Sequence, residues 1–370
     1  MSAPTLNPPA DRPGLWGWDR VRLEAWFVAR GEPAYRARQV LSWLHRRGVG
    51  DVDAMTDLGR AGRAGLAASF DTRRLLPDGV FRSADGTEKA LFRLSGGAAV
   101  ETVLIPEEGR TTLCVSSQAG CPIDCAFCAT AAQGFQRNLE AHEIVAQVRW
   151  AIDRVGREGL TNVVFMGMGE PLANYRAVAS VCRLLLDPVA YGLSRRRITV
   201  STSGLVPQMR RLADELDVAL AVSLHAAHDA LRERLVPLNR VHPLAEILAA
   251  CRYYLARRPD RHVLVEYTLL DGVNDGTDEA RALVRLLRGL AVKVNLIPFN
   301  PFPGSAFRRP ADARVAAFQD VLTRAGVFTR LRRTRGDDIA AACGQLAGEV
   351  RDRRKHAPGA EIPCSSHRAA

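Results

Sequence analysis

The chain has 370 residues, 47% hydrophobic and 25% charged, with 51 basic against 40 acidic side chains and a net charge of +11. That length carries one large domain and a smaller one. No apolar run reaches a membrane span and no charged-then-apolar leader opens the chain, so a cytoplasmic protein with no membrane partner is expected. The basic excess is largely arginine, clustered at 195–197, 330–335 and 351–355. Arginine's planar fork suits phosphate, which points to a polyanionic partner such as nucleic acid. The competing reading is a GC-rich genome that places arginine on solvated faces.

The first 17 residues are Pro-rich and polar and are expected to be disordered. Residues 18–75 read as a helical unit, with amphipathic helices over 19–29 and 35–46 separated by Gly31-Glu32-Pro33. Four of the five tryptophans (Trp16, Trp18, Trp26, Trp43) fall in or beside this unit. At that spacing they read as core more readily than as a platform for stacked bases. Residues 76–106 read as a β extension, with strands over 91–94 and 100–105 and a turn at Gly96-Gly97.

From 107 to 348 strands alternate with helices. Strands are predicted over 112–116, 162–166, 197–202, 218–224, 263–269, 292–297 and 328–333, and helices over 140–153, 175–186, 206–215, 243–256, 277–289 and 311–325. Such alternation implies parallel strands with right-handed crossovers. The units are too few for a closed eightfold barrel. The expected fold class is therefore α/β, a partial (βα)6-type TIM barrel with a small N-terminal helical domain and a basic tail over 349–370. Barrels of this kind carry function at the C-terminal ends of their strands.

The loop after the first barrel strand holds Cys121, Cys125 and Cys128, spaced C-x3-C-x2-C. Three thiolates so spaced can ligate three irons of an iron–sulfur cube. One iron then stays open to a molecule carrying an amine and a carboxylate. Structural zinc competes, but such sites are closed by four ligands, and only Cys114 lies nearby. The five remaining cysteines (Cys114, Cys182, Cys251, Cys343, Cys364) are scattered and form no disulfide framework.

Gly167-Met168-Gly169-Glu170-Pro171 follows the second strand. Its glycines would let backbone approach a ligand, and Glu170 could accept bonds from an ammonium group; the alternative is a plain turn. Ser201, Ser223 and Asn300 suit an amino acid and a ribose, or cap strand ends. His225 orients the site or satisfies a strand end, with no proton-transfer role assigned, and His142 and His228 read as ordinary helix or loop residues. Cys343, followed by glycine, should have an accessible sulfur. Cys114, on a strand, is a small buried hydrophobe or a catalytic thiol. Glu101 sits at a strand where no local pattern makes it a base.

Together these segments resemble one family. The run 112–128, Gly167 to Pro171, Ser201-Thr202-Ser203, Ser223-Leu224-His225, 297–304 and 342–346 are similar, in order and spacing, to the radical S-adenosylmethionine RNA methyltransferases that act on adenine C2 in 23S rRNA and tRNA. The resemblance covers about residues 20–350. The cysteine triplet alone marks only the superfamily; the Cys114/Cys343 pair narrows the match. Departures are confined to the Pro-rich N-terminus and the tail that contains Cys364.

The resemblance implies a [4Fe-4S] cluster on Cys121, Cys125 and Cys128, with S-adenosylmethionine bound at its open iron and cleaved to a radical. Residues matching Gly169, Glu170, Ser201, Ser223, Leu224, His225 and Asn300 would bind S-adenosylmethionine. Cys343 would carry a methyl group, whose carbon radical adds to the base and forms a protein–RNA adduct. Cys114 would resolve the adduct through a transient disulfide with Cys343, and Glu101 would accept the proton. This is chemically coherent, because C2 lies between two ring nitrogens, is electrophilic and has no lone pair to attack a sulfonium methyl. The implied substrates are 23S rRNA at the peptidyl-transferase centre and the tRNA adenine beside the anticodon. The base would be flipped from its stack, with the helical unit helping to hold the RNA. An electron donor such as flavodoxin or ferredoxin is implied, and a monomer is expected. Rival readings are the same chemistry at adenine C8, a non-catalytic RNA-binding protein with a structural metal, and a radical enzyme for a small molecule.

Overall fold

The computed structural model describes residues 12–347. Most of the expected disordered N-terminus, the basic tail, the arginine cluster at 351–355 and Cys364 lie outside them. The N-terminal unit contains α1 (Arg20–Val28), α2 (Arg36–Leu41, running on as a π-helical turn over Ser42–Arg46) and α3 (Arg60–Ser69). Asp19 caps α1 by accepting from the Arg22 N–H at 3.1 Å. An antiparallel meander follows: β1 (Gly79–Arg82), β2 (Glu88–Arg93), β3 (Ala99–Glu107) and β4 (Arg110–Cys114). A small hairpin of β5 (Gln118–Gly120) and β6 (Phe135–Asn138) brackets the cysteine loop and the single turn α4 (Ala129–Ala132).

The alternating part runs α5 (Ala141–Val155), β7 (Asn162–Phe165), α6 (Tyr175–Leu186), β8 (Ile198–Thr202), α7 (Val206–Glu215) and β9 (Ala219–Ser223). It continues with α8 (Asp229–Leu235), α9 (Leu244–Arg257), β10 (Val263–Leu269), α10 (Thr277–Leu287), β11 (Val292–Pro298), α11 (Asp312–Arg324) and β12 (Thr329–Leu331). Local chemistry sets the boundaries. Helix α5 opens on a capping box between Glu140 and Glu143 and ends at Gly156, at φ 75. Strand β8, Ile-Thr-Val-Ser-Thr, is buried along its whole length, as a parallel strand covered on both faces must be.

All ten strands outside the hairpin form one sheet in the order β1-β2-β3-β4-β7-β8-β9-β10-β11-β12. From β4 onward every neighbour is parallel. The order never reverses, which is the winding of a barrel and not of a doubly wound sheet. It stays open: six strand–helix units are followed by the last strand, and the meander extends the other edge through β3 and β4. The register aligns Ser223 with Glu266, and Glu266 with Asn295, in one row across β9, β10 and β11.

The helical unit shares the barrel's apolar core, with Leu15, Trp16, Phe27 and Leu44 in the same cluster as Val148, Leu184 and Leu185. Trp16 and Trp26 are core residues, while Trp18 and Trp43 are partly buried against it. The docking seam needs glycine, since a Cβ on Gly17 would lie 2.4 Å from the His142 backbone nitrogen. Ser180 Oγ donates to Gly17 O at 3.0 Å, Arg20 pairs with Asp187 at 2.6 Å, and His45 Nδ1 meets the Tyr191 hydroxyl at 3.0 Å.

Candidate active site

The cysteine loop is built between two fixed walls. On one side, Gly120 (φ +71) takes the chain so close to Gly134 that a Cβ would sit 1.7 Å from its carbonyl oxygen. On the other, the Ala126 N–H donates to Leu235 O of α8 at 3.0 Å, and Ile123 and Phe127 pack with Leu235, Val236, Leu270 and Phe299. Cys121, Cys125 and Cys128 are therefore presented half-buried at the barrel mouth. Burial pushes the Cys121 thiol up to about 12, and Cys125 well above its ordinary value.

All three cysteines line a cavity of ≈ 160 Å³ that is also lined by Phe165, Ser201, Ser223, Thr268, Ile297 and Arg332. These come from the C-terminal ends of β7 to β12, so the sheet curves around the cavity and the expected functional rim is the observed one. Gly169, Glu170, His225, Asn300 and Cys343 line it too. Leu224 does not; its side chain is buried, and its backbone is bonded to β10 and to Arg232.

The glycines of the Gly-Met-Gly segment also meet a packing need within the fold. A Cβ on Gly167 would lie 2.7 Å from Ser116 Oγ, and one on Gly169 (φ +96) 2.5 Å from Gln118 Cβ. Close approach to the segment that leads into the cysteine loop requires them, and both also line the cavity. The same packing positions Glu170, whose N–H donates to Gln118 Oε1 at 2.7 Å. Its carboxylate accepts from the backbone N–H of Leu172 (3.0 Å) and Ser203 (2.7 Å), which ties β7 to β8. Burial raises its pKa against those two bonds.

His225 sits at φ 62, a left-handed strain for a residue with a Cβ. Its Nδ1 accepts from the Thr268 N–H at 3.0 Å and is thus unprotonated. Burial, with Arg232 nearby, holds its pKa down at about 3, so it is a neutral orienting residue. Asn300 donates to Cys343 O at 3.2 Å and accepts from Thr334 Oγ1 at 2.9 Å, so it fixes the Cys343 loop as well as lining the cavity.

That loop, after the short turn Asp337–Ile339, folds back over the barrel mouth. Asp338 accepts from Ser83 Oγ (2.6 Å) and the Ala84 N–H (3.1 Å), Thr130 donates to Leu346 O (2.6 Å), and Gly344 O accepts from the Ala129 N–H (2.8 Å). The meander and the turn after the cysteines thus hold Cys343, which is exposed toward the cavity. Cys114, at the end of β4, has its thiol pushed up to about 12 by burial and then by the neighbouring Cys343. Both are free thiols.

Glu101 lies apart from the cavity lining. It is buried, pairs with Lys89 at 2.9 Å and accepts from the Ala347 N–H at 2.9 Å. In this conformation it clamps the far end of the Cys343 loop. Arg232 and Glu266 carried no sequence signal, and Arg332 stood out only as part of an arginine cluster, yet the fold brings all three to the site. Arg232 is fully buried on α8 and donates to Leu224 O (3.0 Å), Ser223 O (3.1 Å), Ser203 O (2.5 Å) and Asn239 Oδ1 (3.0 Å).

Comparison with known proteins identifies this arrangement. Residues 115–286 match the radical SAM superfamily model, and residues 14–71 match the ribosomal RNA large subunit methyltransferase N-terminal domain. A dual-specificity RNA methyltransferase RlmN of Marinobacter nauticus is 51% identical over 355 residues, covering 94% of this chain and 95% of its own. The chain belongs to the RlmN family of radical SAM RNA methyltransferases. A crystal structure of a radical SAM methyltransferase from Sphaerobacter thermophilus superposes with a TM-score of 0.84 at 48% identity, covering 91% of this chain and 100% of that one.

Enzymes of this superfamily use a [4Fe-4S] cluster and S-adenosylmethionine, and the residues here fit both. Among the described residues, no group of three or more His, Cys, Asp or Glu converges on a single ion. The three cysteines nonetheless line one cavity. Three thiolates are the number that leaves one iron of a four-iron cube open, so the donor set suits a cluster. Polar groups from four strands share the cavity with them, as an amino-acid and nucleoside ligand requires.

Proposed function

We propose that this enzyme methylates C2 of adenine in 23S rRNA and in tRNA, on Cys343 as the methyl carrier. What carries the reading is the loop 336–347, which delivers an exposed Cys343 over the cavity of the three-cysteine motif with Cys114 as its neighbour. Family membership supports the RNA substrates, since the Marinobacter relative bears the dual-specificity name.

In this reading Cys121, Cys125 and Cys128 hold the cluster, and Gly169, Glu170, Ser201, Ser223, Leu224, His225 and Asn300 hold S-adenosylmethionine. Cluster and cofactor, when bound, supply the methyl group and the radical. Cys343 carries the methyl carbon to the base and is joined to it, and Cys114 frees the product by forming a disulfide with Cys343. Neutral His225 and Arg232 fix the rim on which the cofactor rests. Glu101 accepts the proton lost from C2 after a movement of the Cys343 loop that it clamps. The helical unit (18–75) holds structured RNA. The enzyme acts as a cytoplasmic monomer reduced by flavodoxin or ferredoxin; no helix among the described residues is long and apolar enough to cross a membrane.

The test is anaerobic incubation of reconstituted enzyme with labelled S-adenosylmethionine and RNA, followed by nucleoside mass analysis. Label at C2 is expected; label at C8 would overturn the regiochemistry. Cys343→Ala should lose methyl transfer while keeping the visible absorbance of the cluster. Cys114→Ala should accumulate enzyme covalently bound to RNA, and free methylated RNA at the wild-type rate would refute its resolving role.

A further inference from the structure

Lys89, Lys293 and Lys355 are the only lysines in a chain that otherwise uses arginine for its positive charge. Lys89, on β2, is 8% exposed. An ammonium taken out of water needs partners for its charge and its protons. Lys89 Nζ has two: it pairs with Glu101 Oε1 of β3 at 2.9 Å and donates to Ala340 O at 3.3 Å. The other oxygen of the carboxylate, Glu101 Oε2, accepts from the Ala347 N–H at 2.9 Å. One ion pair therefore grips the Cys343 loop at two points, three residues before the cysteine and four residues after it.

The first grip falls where the loop is under strain. Ala340 sits at φ 50, a left-handed conformation that a residue with a Cβ adopts only at a cost. The platform beneath is fixed in turn. Ser116 Oγ donates to Glu101 O and accepts from the Met168 N–H, which ties the ion pair to the Gly-Met-Gly-Glu-Pro segment at the cavity. Lysine suits this place better than arginine. Its ammonium is a compact charge whose rotatable donors serve a carboxylate and a carbonyl from one atom, whereas a guanidinium presents its donors along the edges of a rigid plane.

We propose that Lys89 is a positioning residue for the methyl carrier: it holds the Cys343 loop over the cavity while the cysteine takes its methyl group, directly at Ala340 and through Glu101 at Ala347. The inference rests on the functional reading above, in which Cys343 is methylated first and Glu101 accepts a proton only later, from the RNA. Methyl loading without RNA therefore reads the grip on the loop apart from the proton-accepting role of Glu101. It is followed as the rate at which the Cys343 peptide of cluster-reconstituted enzyme gains a deuterated methyl group from labelled S-adenosylmethionine. Wild type is compared with Lys89→Met and with the double variant Lys89→Met/Glu101→Gln.

Lys89→Met takes the ammonium away from a buried carboxylate and should lower the thermal midpoint. The double variant removes that charge too, and its glutamine carbonyl still accepts from Ala347. It should regain most of the midpoint while the grip on Ala340 stays lost. Losing a bond from a charged donor should slow maximal loading about tenfold or more in both variants. The S-adenosylmethionine concentration at half-maximal rate should not change, and the peptide 336–347 should exchange its amide hydrogens faster. A residue that only supports the fold would recover loading together with the midpoint. That recovery, wild-type loading in Lys89→Met, or unchanged amide exchange in both variants overturns the proposal. Wild type whose Cys343 takes no label refutes the functional reading instead, and amide exchange then still decides whether Lys89 holds the loop.

Discussion

Arg232 shows how one side chain can hold two strand ends in place. A guanidinium with no exposed surface gathers three carbonyl oxygens, from Ser203, Ser223 and Leu224, together with Asn239. Burial pulls its pKa down to about 10, so it still carries its charge at neutral pH. Replacing it with methionine would keep the volume and leave those acceptors unpaired, a cost of about 3–5 kcal/mol. A fall in thermal midpoint of about 4–6 °C is expected by calorimetry, with partial recovery in Arg232→Lys. An unchanged midpoint would show that water replaces the guanidinium freely. Nothing in the local sequence marks Arg232, because its acceptors are main-chain atoms from segments 8 to 29 residues away. The cysteine triplet, in contrast, was legible, since iron–sulfur chemistry demands thiols at short spacing. Gly167 and Gly169 were legible as necessary glycines, but the neighbours they pack against are supplied only by the fold.

Elements were legible where they were long and periodic. Helices α6 and α7 and strand β10 have the expected bounds, and the barrel order follows from their alternation. Short pieces held by tertiary contacts were not: β1, α8 and the hairpin β5–β6 have too few residues for a period to show. The docking of the N-terminal helices against the barrel was equally hidden, and it makes a pH-dependent seam. His45 is fully buried there, against Trp16 and the Tyr191 hydroxyl. Burial, and then Arg149 and Arg157, lower its pKa from 6.5 to about 3. The folded chain thus refuses a proton that the unfolded chain accepts. This contribution is complete above pH 6.5 and is lost as pH falls toward 3. Each pH unit inside that window should cost up to about 1.4 kcal/mol. Urea unfolding followed by tryptophan fluorescence reads this unit, because four of the five tryptophans lie in or beside it. His45→Phe should flatten the stability slope between pH 6 and 4 by about that amount. An identical slope would mean that His45 is protonated in the folded protein.

At the scale of the whole molecule the question is where a net charge of +11 is placed. Much of the arginine is spent internally, as in the pairs Arg154–Glu88, Arg314–Asp275 and Arg261–Asp217. The helical unit differs: Arg22, Arg30 and Arg47 lie over the rings of Trp18, Trp26 and Trp43 at 4.1, 4.0 and 3.9 Å. A guanidinium laid on a ring keeps its edge free for phosphate while its stem is ordered in advance, which lowers the entropic cost of binding. The tryptophans are thus core on one side and arginine supports on the other, a combination that reading them as core alone does not contain. If this face meets the RNA backbone, binding should follow counterion release. Four phosphate contacts would give a slope of about −3 in log K against log salt, or about sixtyfold weaker binding from 50 to 200 mM salt. Changing Arg22, Arg30 and Arg47 together to glutamine should reduce the slope by about 2 to 3, while S-adenosylhomocysteine binds the barrel unchanged. Filter binding of tRNA across that salt range measures both slopes. Equal slopes in wild type and triple variant would move the RNA footprint away from the helical unit, to the arginines that follow β12 at the barrel mouth.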